Sequence, residues 1–166
     1  MKIGILLVFA AAVLLLAFLF TSKKADSVPA LLSSVATPAP RSSITIGTTT
    51  LEVEVADTPA KMKLGLGERD GLIENEGMLF PYSSKTPAAF WMKDMRFSLD
   101  IIWLADGKVV DIHTDVLPEP EVSDSNLKLY TPKEPVDNVL EVSAGFVEKN
   151  KIKVGDSFSF QTQSYP

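Results

Sequence analysis

Residues 3 to 20 form an unbroken run of 18 drawn only from Ile, Leu, Val, Phe, Ala and Gly. As a helix this run rises about 27 Å, close to the roughly 30 Å hydrocarbon core of a bilayer. It predicts a transmembrane helix within residues 1–22, joined to the membrane through residues 3–20. The alternative is a cleaved signal peptide, whose apolar core is usually about 7–15 residues long and ends in a small-x-small site. The run here is longer, and Thr21, Ser22, Lys23 and Lys24 offer no clean site. Lys2 on one side and Lys23 and Lys24 on the other nearly balance, so the positive-inside rule orients the segment only weakly. Residues 23–42 are rich in Ser, Ala, Thr and Pro, with Pro29, Pro38 and Pro40. Such a stretch cannot bury a core and reads as a semi-extended tether. The expectation is a single-pass protein of the cell membrane with its domain facing outward, to the periplasm or cell surface, or a secreted domain if the segment is cleaved.

Charge separates the remainder from this apolar start. The whole chain carries 16 basic and 21 acidic residues, net −5, but after Ser42 there are 12 basic and 20 acidic, net −8. Residues 43–166 are therefore an acidic domain that repels phosphate backbones, and no nucleic-acid partner is expected. There is no cysteine, which excludes disulfides, thiolate metal sites and a cysteine nucleophile. A single domain of this length buries roughly two-thirds of its chain surface, so folding calls for no metal or other cofactor.

From Ser43 onward the pattern has period two, punctuated by Gly, Pro and Asp. Ile44 and Ile46, then Leu51, Val53 and Val55, alternate with polar residues around Gly47-Thr48, which predicts a hairpin. Asp57-Thr58-Pro59 supplies a cap and a first-turn proline for a short helix that Gly65 and Gly67 stop. Residues 77–80, ended by Pro81, and 88–92 read as short strands. Residues 98–104 are the most apolar strand, turned by Asp106-Gly107 into an answering strand over residues 108–116. Residues 117–136 form a long polar loop with Pro118, Pro120, Pro132 and Pro135. A strand over residues 139–142, a short helix over 144–150 capped by Ser143, and a last strand through Phe158 and Phe160 complete the domain. The expected fold is mainly β: a sandwich or partly open barrel of about eight short strands with one or two short helices, behind a transmembrane helix.

Several of these pieces occur in a specific order: Val55-Ala56-Asp57-Thr58, Gly65-Leu66-x-x-Arg69, Gly77-Met78-Leu79-Phe80, Phe90-Trp91-Met92-Lys93, Leu99-Asp100-Ile101-Ile102, Gly107-x-Val109-Val110, Val139-Leu140-Glu141-Val142-x-Ala144-Gly145 and Gly155-Asp156. Together they resemble the domain of unknown function 192 family over residues 44–161. The resemblance implies a compact, mainly β domain, often preceded by a signal or membrane segment in bacterial and archaeal members, with no established activity. Asp94 stands where the family pattern usually has Asn, and Phe97 where it has an Ile-like residue.

The residues that could carry chemistry are few. Asp100 lies within the most apolar strand and needs a partner, because an isolated buried carboxylate costs several kcal/mol; Lys93, Arg69, the Ser98 hydroxyl and backbone amides are the candidates. Glu141 alternates with apolar neighbours, so an exposed face is one reading and a carboxylate pair with Asp100 is another. Such a pair would need about 5–10 Å between its groups. Trp91 beside Lys93 offers either core closure or an aromatic platform for a sugar or peptide. Asp111, His113 and Asp115 share one strand face and are weak metal candidates, since same-face neighbours lie about 6–7 Å apart and the face reads as wet. The ligand-binding candidates are thus Trp91, Lys93, Asp100, Glu141 and Arg69. No nucleophile, base and oxyanion site assemble in the sequence, so the expected function is recognition of a small ligand, a glycan or an envelope protein rather than catalysis. The alternatives are a small hydrolase or lyase working through Asp100 and Glu141, and a structural accessory of an envelope complex.

Overall fold

The computed structural model describes residues 42–162; the expected membrane segment and the linker up to residue 41 lie outside them. Among the described residues no helix is long and apolar enough to cross a membrane.

Seven strands form one sheet: β1 (Ser42–Ile46), β2 (Thr49–Val55), β3 (Glu76–Thr86), β4 (Leu99–Ala105), β5 (Lys108–Val116), β6 (Val136–Ser143) and β7 (Phe158–Gln161). Their spatial order is β5-β4-β6-β3-β2-β1-β7. All neighbours are antiparallel except β2 and β3. The sheet curls until its two edges meet at one end, where Val109 N–H donates to Asp156 O at 2.9 Å and Phe158 N–H to Gly107 O at 2.9 Å. The result is a curled half-barrel. Of the expected alternatives this is the partly open barrel, with seven strands rather than about eight.

The missing strand is residues 88–92, which make a single bridge between Phe90 and Tyr130 and otherwise run as loop. The alternation ending at Pro81 also continues further than expected. Strand β3 runs on to Thr86 because β2 stops at Val55, opposite Leu79. Past that point a proline deprives no neighbour on the β2 side of a ladder bond. Both two-residue turns form as the sequence requires, with Gly47, Asp106 and Gly107 at positive φ. Helix α1 (Pro59–Leu64) begins at Thr58, whose side chain accepts from Lys61 N–H, and ends at Gly65 with φ of 53°.

The curl creates two buried faces. Inside it pack Ile44, Leu51, Val53, Leu79, Ile102, Leu104, Leu140 and Val142, closed at one end by Phe146 and Val147 of helix α2 (Phe146–Asn150). On the outer face Met78, Phe80, Ile101, Trp103 and Val139 lie beneath loops that contribute Leu66, Met92, Met95 and Tyr130. Strand β4 is covered on both faces, and every one of its residues is buried. That explains why it reads as a nearly continuous apolar run.

Candidate functional site

Asp100 and Glu141 sit one register position apart on neighbouring strands. Asp100 pairs across the ladder with Val142, and Ile101 with Glu141. Side chains of successive strand residues point to opposite faces, so Asp100 enters the barrel interior with Val142, while Glu141 enters the loop-covered face with Ile101. The two carboxyls therefore do not form a pair that could act on one substrate bond, which removes the geometry that the alternative reading of a hydrolase or lyase working through them requires.

Asp100 is fully buried and fully engaged. Its Oδ2 accepts from Val147 N–H at 2.9 Å and its Oδ1 from Asp115 N–H at 3.0 Å. Its partners are thus two backbone amides, not Lys93, Arg69 or Ser98. The first amide belongs to the opening turn of α2, which has Gly145 at its start and no side-chain cap of its own. Asp100 therefore supplies the cap expected of Ser143, from a strand 47 residues earlier. The second amide fixes Asp115, held at φ of 52°.

Glu141 is also buried, at 5% exposure, which corrects the reading of an exposed face. Among the described residues its carboxyl makes no hydrogen bond and no ion pair. Burial pushes its pKa up to about 8, so at neutral pH it is mostly an uncharged acid. It opens into a cavity of about 780 Å³ walled by Phe80, Tyr82, Phe90, Leu66, Met62 and Met95. Burial, and then the charge of Glu141, raise the Tyr82 phenol above its ordinary value.

Three loops build the mouth of this cavity and are stitched together through their backbones. Glu68 N–H after α1 donates to Asp94 O at 3.3 Å, Glu119 N–H donates to Met92 O at 3.0 Å, and Phe90 and Tyr130 exchange bonds at 2.9 and 2.8 Å. Lys93 pairs with Asp124 at 2.6 Å across the entrance; that bond raises the lysine pKa and lowers the aspartate pKa. Asp94 takes φ of 57°, a left-handed conformation that suits Asn and Asp. This explains how Asp occupies the position where the family pattern has Asn. Trp91 is 48% exposed at the rim, whereas Phe90 and Met92 on either side turn inward.

The cavity thus brings together Trp91, Lys93 and Glu141 from the expected set. Arg69 lies outside its lining and pairs with Glu54 at 2.8 Å. Tyr82 and Asp124 were not singled out by the sequence. Tyr82 follows Met78 and Phe80 at period two, a signal hidden by reading Pro81 as the end of the strand.

The expected wet face of β5 is a second correction. Register shifts opposite Leu99/Ile101 and Trp103/Leu104 break its alternation, and Val109 is buried inside the curl while Asp111 is buried opposite Trp103. Asp111 accepts from Lys133 Nζ at 2.9 Å, Lys133 N–H and Ile112 N–H. Burial alone would raise its pKa, but these donors hold it below the usual value. His113 lies in an edge-to-face row of Phe80, Phe90, Trp103, His113 and Tyr130. Its Nδ1 accepts from Trp103 Nε1–H at 2.8 Å. Asp115 is exposed, and among the described residues no three His, Cys, Asp or Glu side chains come together to hold a metal.

The comparisons with known proteins bear on the family and the fold. The domain of unknown function 192 family, described as Uncharacterized ACR, matches residues 42–160. The chain belongs to this family. Among solved structures, the domain is similar to a protein from Sinorhizobium meliloti 1021 described as a "putative transcription regulator", with 30% identity and a TM-score of 0.64 over 73% of this chain and 92% of that one. It is equally similar to a protein of unknown function from Novosphingobium aromaticivorans DSM 12444, with 29% identity and a TM-score of 0.64 over 70% and 83%. No curated protein matches the chain. The family motifs divide between the two faces: Phe90-Trp91-Met92-Lys93 builds the cavity mouth, Glu141 its floor, and Asp100 the interior cap.

Proposed function

We propose that the domain is a binding module whose outer-face cavity receives a small ligand, and that the apolar run at residues 3–20 tethers it to the membrane, facing outward. One observation carries the binding reading: a carboxyl, 5% exposed and without a protein partner among the described residues, that opens onto a cavity of about 780 Å³. Among the described residues no enclosed side-chain oxygen lacks a partner, so the Glu141 oxygens are ones that meet the cavity, where a ligand that enters can bond with them in place of water. The volume falls within the range of about 300–1,000 Å³ typical of small-molecule pockets. The apolar walls and exposed Trp91 give such a ligand a surface to pack on.

The description attached to the Sinorhizobium protein is not carried over. With a net charge of −8 after Ser42, this domain is on balance repelled by a phosphate backbone. The test is a ligand-observed NMR screen of small molecules and mono- and disaccharides against the full-length chain and its Trp91→Ala variant. Binding weakened by about tenfold in the variant is the expected result, on the scale of a lost aromatic contact. Hits that bind Trp91→Ala as well as the parent would move the site away from this cavity. Digestion by protease added to intact cells is expected for the outward orientation, and complete protection would contradict it.

A further inference from the structure

We propose that the cavity is selective for a small organic cation, a primary ammonium carried on an apolar body, with Glu141 as its counter-ion. The inference rests on the binding reading above and names the ligand class. Its first support is the floor of the site, where a carboxyl, 5% exposed and without a protein partner among the described residues, opens into the cavity. Neutral ligands could hydrogen-bond there, but three further features favour a cation.

The lining carries four carboxyls, Glu68, Asp94, Asp124 and Glu141, against two ammonium groups, Lys63 and Lys93. Lys93 is already committed to Asp124 at 2.6 Å. A bound anion would meet a net negative wall in a domain of net −8, whereas a cation is drawn toward it. The walls are also aromatic. Phe80, Tyr82, Phe90 and Trp91 all line the cavity, and aromatic faces attract an ammonium more strongly when water is excluded. Finally, a bound ammonium repays what Glu141 forfeits by burial: the opposite charge stabilises its ionised form, and the carboxylate and the rings together replace the water that the cation gives up. No covalent step is involved; Glu141 releases its proton to solvent as the ammonium enters.

The proton release makes the selectivity readable. The other titratable groups lining the cavity are Tyr82 from β3, Lys63 from α1, Glu68 from the loop after it, Lys93 and Asp94 from the second loop and Asp124 from the third. Burial places the acid strength of Glu141 near pH 8. Three probes share one body and differ in headgroup: 2-phenylethylamine, 2-phenylethanol and phenylacetate. Each would be titrated calorimetrically into the full-length chain and into Glu141→Gln between about pH 6 and pH 8.5.

The amine is expected to bind the parent at pH 8 at least about tenfold more tightly than the alcohol, and more tightly still than the carboxylate. Its affinity is expected to rise by up to about tenfold per pH unit toward pH 8 and then level, because below that point binding must expel a proton. In Glu141→Gln the amine's advantage and its pH dependence should both disappear while the alcohol still binds. The pH profile of the parent stands without the variant, so misfolding of Glu141→Gln does not shield the proposal. Alcohol or carboxylate binding that matches or exceeds the amine overturns the cation assignment and leaves the binding module standing. A flat amine profile in the parent overturns the role of Glu141. Binding of none of the three probes at about 10 mM removes both the cation assignment and the cavity reading.

Discussion

Asp100 and Glu141 are two acids at adjacent register positions on neighbouring strands, both buried, and the protein treats them in opposite ways. Asp100, inside the curl, has each oxygen matched to a backbone N–H. Glu141, on the outer face, opens into a cavity with no such match. Burial is common to both, so burial alone does not mark a functional group. What separates them is completion. The satisfied acid fixes a helix and a turn, and the unsatisfied one leaves a site for something else to complete.

The largest expected effect falls on the satisfied acid. Asp100→Ala strands the buried Val147 amide and the partly buried Asp115 amide, and charge-assisted bonds of this kind are worth about 1.5–3 kcal/mol each. Urea unfolding is expected to show a loss of about 3–5 kcal/mol, with about half of it recovered in Asp100→Asn, which keeps one acceptor oxygen. A loss below about 1 kcal/mol would mean that Asp100 is no anchor and would dissolve the contrast.

Glu141→Gln is expected to move stability the other way, with a pH signature. The folded value of about 8 lies above the ordinary 4.5, so between them the folded chain keeps a proton that the unfolded chain has released. The stability that Glu141 contributes is therefore greatest below about pH 4.5 and is lost progressively as pH rises toward 8. Glutamine has no such dependence at this position. The variant should overtake the parent progressively across that window and lead by a few kcal/mol at pH 8. A pH-independent difference between the two would show that Glu141 is satisfied after all.

The smallest of these effects probes the backbone that carries Glu141. A Cβ at Gly77 would lie 2.8 Å from Glu141 O and 3.1 Å from side-chain atoms of Leu140 and Val142. Gly77→Ala is expected to cost about 1–3 kcal/mol through overpacking between β3 and β6, measured by thermal or urea unfolding. An unchanged midpoint would indicate that the two strands can part without loss.

These contrasts were only partly legible in the sequence. The hairpin at Gly47-Thr48, the turn at Asp106-Gly107, the Thr58-Pro59 helix start and the apolar β4 were readable because each depends on residues adjacent in the chain. The neighbours of Asp100 were not, since Val147 is brought to it only by the curl of the sheet, and the amide that Asp100 caps carries no side-chain signal. Glu141 looked exposed because alternation reports which residues share a face, not whether loops cover that face. The loops that cover it come from residues 65–68, 88–96 and 117–130, joined through backbone bonds that composition does not reveal. On β5, register shifts against β4 defeated the period-two reading of Asp111 and His113 altogether. The Trp91-Met92-Lys93 motif was visible, and its place at the mouth depends on Phe90 pairing with Tyr130.

The central claim is that Glu141 is an unpartnered acid held neutral at the floor of the cavity. The most direct measurement is a ¹³C NMR titration of the glutamate side-chain carboxyl carbons in the full-length chain, with the Glu141 signal assigned by its absence from Glu141→Gln. A midpoint near pH 8 is the expected result, and addition of 2-phenylethylamine should move it toward lower pH. A midpoint in the ordinary range near 4.5 would contradict the account, because it would mean that burial at the cavity floor does not hold the carboxyl neutral.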